Sequence, residues 1–72
     1  MELTVESQPT ADGGRDPLVI WFGHRRVEVQ AVLDRWYGPG HRWWKVATSD
    51  GPYVLRRDEA SGDWELVAVV RE

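Results

Sequence analysis

The stretch Leu33-Asp34-Arg35-Trp36-Tyr37-Gly38-Pro39-Gly40-His41-Arg42-Trp43-Trp44-Lys45-Val46 decides the fold. Two arms rich in apolar residues meet at Gly38-Pro39-Gly40-His41. Pro39 presets φ for the second position of a turn and Gly40 accepts the positive φ of the third, so these residues read as a type II turn. Folding the arms back pairs Trp36 with Trp43, Asp34 with Lys45 and Leu33 with Val46. Three of the five Trp of the chain lie here.

Similar turn chemistry recurs on either side. Gly23-His24 suits a type II′ hairpin, which pairs Trp21 with Arg26 and Ile20 with Val27. Asp50-Gly51 suits type I′ and pairs Val46 with Leu55 and Lys45 with Arg56. A loop over Glu59 to Gly62 then pairs Arg57 with Trp64 and Arg56 with Glu65. Between these turns apolar residues recur at every second position, the period of a strand. The expected fold is all-β: a five-stranded antiparallel meander, with strands at roughly 17–22, 25–37, 42–49, 52–57 and 64–70. A sheet of this size must curl into a small SH3-like half-barrel to cover its own core.

The registers, each set by one turn, agree on which side is apolar. One face collects Leu18, Ile20, Val27, Val29, Ala31, Leu33, Trp44, Val46, Tyr53, Leu55, Trp64, Leu66 and Ala68, the expected core. The opposite face collects Val19, Trp21, Arg26, Glu28, Val32, Asp34, Trp36, Trp43, Lys45, Ala47, Val54, Arg56, Glu65 and Val67. Three Trp among charges of both signs make this outer face the candidate binding surface. The single domain is expected over 17–72. Residues 1–16 read as a flexible N-terminal segment, because Ser7 to Asp16 holds linker and turn residues, with a short edge strand at 2–6.

Seventy-two residues allow one domain. A chain of this length buries only about 60% of its unfolded surface, so its aromatic side chains matter for stability. Cys is absent, which excludes disulfides and thiolate metal sites. No basic-then-apolar leader and no long apolar run occurs, giving the expectation of a cytoplasmic protein that makes no membrane contact. The net charge of −3 is unevenly spread. Residues 1–17 set Arg15 against Glu2, Glu6, Asp12 and Asp16, a net of −3. Residues 18–57 set seven cations against Glu28, Asp34 and Asp50, a net of +4. Residues 58–72 set Arg71 against five acids, a net of −4. Acidic ends argue against a duplex-DNA binder, which needs a continuous basic footprint.

The elements Val32-Leu33-Asp34-Arg35-Trp36 and Arg42-Trp43-Trp44, followed by Tyr53, Leu55, Arg57-Asp58, Gly62, Trp64 and Leu66, carry a resemblance. Over residues 17–70 the chain resembles a family of short bacterial domains of unassigned activity. These stand alone or lie C-terminal to Y-family-polymerase-like proteins of the DNA-damage mutagenesis system. The segment after the Trp pair is shorter here than in that pattern. The resemblance implies a setting in DNA repair or translesion synthesis and carries over no catalytic residue.

The candidate binding residues are Trp21, Arg26, Trp36, Trp43, Lys45 and Arg56. Trp36 and Trp43 read either as a stabilising cross-strand pair or as a stacking platform for a partner side chain or a base. Trp21 opposite Arg26 reads as a surface cation–π pair. Lys45 opposite Arg56 reads as part of a charge ladder running Asp34, Lys45, Arg56, Glu65, or as a spot for an anion. His24 and His41 sit in turns without the converging ligands a metal needs. No serine has a base and an orienting acid beside it in the sequence. The expectation is a non-enzymatic interaction module without cofactor or metal. Its partner is a protein, with single-stranded nucleic acid as the alternative and weak homodimerisation through the same face.

Overall fold

The computed structural model describes residues 3–70. It is all-β, a sheet of six antiparallel strands hydrogen-bonded in sequence order. They are β1 (Leu3–Pro9), β2 (Arg15–Phe22), β3 (Arg25–Gly38), β4 (His41–Thr48), β5 (Gly51–Asp58) and β6 (Trp64–Val69). The sheet curls into a half-barrel about a core of Ile20, Val27, Trp44, Val46, Tyr53 and Leu55. All six were expected to be buried.

The sixth strand is β1, and it corrects the reading of the N-terminal segment. β1 pairs with β2 from Leu3↔Phe22 to Pro9↔Arg15, so the segment expected to be flexible is largely sheet. Its signal was present in the residues. Leu3 and Val5 alternate with Thr4 and Glu6, and both apolar side chains pack on the core. The residues taken for a linker close the hairpin. Thr10 N–H donates to Gly14 O at 2.9 Å and Gly13 N–H to Thr10 O at 3.2 Å, with Gly13 at φ 86°. The Glu2 end of the expected edge strand lies outside the described residues, as do residues 71–72.

The curl comes from bulges. An extra residue in one strand bends it and increases its twist. The extra residues are Leu18 in β2, Gln30 and Leu33 in β3, and Val67 in β6. β3 carries two of them and joins both halves of the molecule. Its Arg25–Glu28 portion pairs with β2, and the rest pairs with β4. Both bulges lie beyond Asp34 from the turn, so Trp36↔Trp43 and Asp34↔Lys45 pair as expected, and together they shift the far end of the ladder by two residues. Between them the faces exchange. Val32, not Leu33, pairs with Val46 and packs on the core, while Leu33 is 52% exposed. Ala31 joins Ala47 on the outer side. Leu18 and Ala68 are likewise exposed rather than core, beside bulges no turn residue announces.

The β4–β5 turn shifts the register by two residues. Asp50 does not take the positive φ that a type I′ turn demands, whereas Gly51 does, at 105°. Ser49-Asp50 forms the turn instead, and Thr48 pairs with Gly51. The Thr48 hydroxyl fixes it, donating to Gly51 O at 2.7 Å and accepting from Asp50 N–H at 3.1 Å. Lys45 therefore faces Val54, not Arg56, and Trp43 faces Arg56. Both strands keep their buried faces because the slip preserves the period-two alternation.

Candidate interaction surface

On the outer side a row crosses the sheet as Trp36, Trp43, Arg56, Glu65 from β3 to β6. The indoles of Trp36 and Trp43 are parallel to within 3°, with centroids 6.4 Å apart. That lies in the range of offset aromatic pairs. Gly38 makes room for them: a Cβ there would come within 2.8 Å of Trp43 Cζ3. The His41 ring stands 5.8 Å from Trp43 on its other flank. Trp43 is half-buried between these neighbours, while Trp36 keeps 38% of its surface in solvent.

The arginine beside the pair is matched. The Arg56 guanidinium contacts the Glu65 carboxylate across β5 and β6. Lys45 faces Asp34, whose Oδ1 accepts the Arg35 backbone N–H at 2.8 Å. The adjacent cation pair expected at Lys45 and Arg56 does not form, since their strands are offset.

Trp21 and Arg26 lie apart from this row, paired across β2 and β3. The cation–π contact expected between them is replaced by polar partners. Trp21 Nε1–H donates to Glu6 Oε2 at 2.7 Å, and Arg26 Nη1 donates to Glu28 Oε1 at 2.8 Å. Of the six candidates, the structure groups Trp36, Trp43, Lys45 and Arg56, and leaves Trp21 and Arg26 as a separate patch.

A second feature, on the concave side, was missed. The β1–β2 turn folds over the end of the β3–β4 hairpin. Asp16 anchors it: its carboxylate accepts from Arg35 Nε at 2.9 Å and Arg35 Nη2 at 2.6 Å, and from Trp44 Nε1–H at 3.3 Å. The Arg35 guanidinium holds Asp16 below the usual carboxylate range, and Asp16 in turn raises Arg35. A cleft of about 250 Å³ remains beneath the turn, with Asp12, Arg35, Tyr37, Arg42 and Trp44 in its wall. Arg42 lies over the Tyr37 ring at 4.9 Å, a cation–π contact, and donates from Nε to Glu59 Oε1 at 2.6 Å. Glu59 raises the Arg42 pKa. The Thr10 hydroxyl and then the Gly14 N–H lower Asp12.

Asp58 ends β5 and caps its loop, accepting from Ala60 N–H at 2.8 Å and Ser61 N–H at 3.1 Å. The backbone donors of Ser61 and Ala60 lower its pKa. His41 Nε2 lies 3.6 Å from Asp58 Oδ2. Among the described residues no group of three His, Cys, Asp or Glu converges as a metal site. Among the described residues no helix is long and apolar enough to cross a membrane. In the comparisons with known proteins, no family model, no curated protein and no solved structure matches the chain.

Proposed function

We propose that the chain is a non-enzymatic interaction module that binds a protein partner through the outer side of the β3–β4 hairpin, around Trp36 and Trp43. One observation carries this reading. Leu33 and Trp36 are 52% and 38% exposed, and the guanidinium in the Trp36–Trp43 row, that of Arg56, is already paired with Glu65. Exposed apolar and aromatic area beside a paired guanidinium suits a polypeptide better than a phosphate backbone, which needs several free cations. The resemblance of the Leu-Asp-Arg-Trp and Trp-Trp elements is what supports seeking that partner in the DNA-damage polymerase machinery.

The test compares affinity capture from DNA-damaged cells by the wild type and by Trp36→Ala. Folding is monitored by circular dichroism. A discrete polypeptide retained at high salt by the wild type and lost by the folded variant supports the reading. Salt-sensitive binding of a single-stranded oligonucleotide that quenches Trp fluorescence and is lost in Trp36→Ala contradicts it.

A further inference from the structure

We infer that the concave rim where Arg42 and Arg57 face each other is a binding site for a compact phosphoryl anion. Arg42 of β4 and Arg57 of β5 are direct cross-strand partners. Like charges so placed destabilise a sheet unless something neutralises them. Only one is neutralised from within. Arg42 has Glu59, whereas Arg57 forms no ion pair among the described residues.

A third cation joins them. Arg15, from the far side of the β1–β2 turn, lines the same cleft of about 220 Å³, together with Trp44 and Glu59. Arg15 donates to Ser7 Oγ at 2.8 Å and to Ser7 O at 3.1 Å, and it too has no carboxylate partner among the described residues. Three arginines thus line the cleft against one carboxylate, with the Arg15 guanidinium held on Ser7 at its edge. Asp12 adds an attraction on Arg42 from the adjoining cleft, while Asp16 is already held by Arg35.

Two glycines open the space. A Cβ on Gly14 would lie 2.9 Å from Arg42 Nη1, and one on Gly62 would lie 3.1 Å from Arg57 Nη2. Gly62 also sits at φ 77°, where any side chain is strained. Each guanidinium therefore rests against bare backbone, Arg42 on Gly14 in the cleft wall and Arg57 on Gly62 in the β5–β6 loop.

Planar forks from different strands match the several oxygens of a phosphoryl group better than a single carboxylate does. A compact anion is favoured over a polymer. The segments on either side of the basic middle carry net charges of −3 and −4, which would repel an extended phosphate backbone. Glu59 occupies Arg42 in the free protein, and an entering phosphoryl group would displace it.

The experiment is isothermal titration of inorganic pyrophosphate into the full chain at low salt. Saturable binding at one site is expected. Arg57→Gln should weaken it about tenfold, the usual loss of a charged hydrogen-bond donor. Arg57→Lys keeps the charge without the fork and should also weaken it. Glu59→Gln removes the internal competitor and should tighten it about threefold, the worth of one exposed ion pair. Arg25→Gln, a remote surface cation, should leave it unchanged. Absence of saturable heat overturns the inference. So does equal weakening by Arg25→Gln and Arg57→Gln, or oligonucleotide affinity that exceeds pyrophosphate affinity and grows with length. The Arg57 and Glu59 variants act on the concave rim, so failure of this inference leaves the outer Trp36 surface untouched.

Discussion

Asp16 and Arg35 form a bidentate ion pair between β2 and β3 where those strands are no longer hydrogen-bonded to each other. Arg35 Nε and Nη2 reach the two carboxylate oxygens at 2.9 and 2.6 Å, while the β2–β3 ladder ends at Val19↔Glu28. The pair therefore ties the two halves of the half-barrel across its open end.

A pH dependence follows from that tie. The folded pKa of Asp16 lies below its usual 3.8, with the Arg35 guanidinium as the first cause. A depressed carboxylate stabilises the fold above its unfolded pKa, and that contribution is lost as pH falls through the folded value. Stability should therefore drop on acidification below about pH 4. Asp16→Asn should lower the midpoint of urea unfolding at pH 7 and flatten this acid limb. An unchanged acid limb would show that the pair does not contribute.

The two adjacent indoles of β4 should behave oppositely. Trp44 is 3% exposed and packs on Trp64 with centroids 4.8 Å apart. Trp44→Ala should cost about 3–5 kcal/mol, close to the whole stability of a small domain. Trp43→Ala removes a half-buried side chain and should cost much less. Similar losses in urea denaturation would contradict the assignment of faces.

β1 should prove integral. Leu3 and Val5 pack against the core, and Thr10 to Gly14 closes the hairpin. Val5→Asp should lower the melting temperature by several degrees, since about 1 kcal/mol shifts a domain of this size by 4–8 °C. An unchanged melting temperature would mean that the segment adds nothing to the core.

Gly38 is the spacer beneath Trp43. Gly38→Ala places a methyl within 2.8 Å of the indole at its present position, so the ring must move. The Trp43 indole resonances should shift in a proton NMR spectrum while those of Trp64 stay in place. An unmoved Trp43 signal would show that the ring does not depend on that gap.

What the sequence reveals and conceals has physical causes. Gly23 and Gly40 take positive φ at 63° and 71°, and these local signals fix their hairpins. Asp50-Gly51 admits two turn types, and only the φ of Asp50 separates them. The resulting slip moved Arg56 from Lys45 to Trp43 without exchanging buried and exposed faces. The bulges at Leu18, Gln30, Leu33 and Val67 have no local mark, because none is a glycine and each answers to the curvature of the whole sheet. Val32 and Leu33 could not be told apart for that reason. The Trp36–Trp43 row was legible from one turn. The cleft uniting Arg15, Arg42 and Arg57 was not, since it needs the β1–β2 turn folded over a distant hairpin.

The proposed protein-binding role of the outer Trp surface is tested most directly by site-specific photo-crosslinking in DNA-damaged cells. A photoreactive residue replaces Leu33, exposed beside the Trp36 row, and in a parallel variant replaces His24 in the remote β2–β3 turn. The account predicts a discrete polypeptide adduct from position 33, absent from position 24 and abolished by adding Trp36→Ala. Adducts with nucleic acid alone at position 33, or the same polypeptide adduct from both positions, would contradict it.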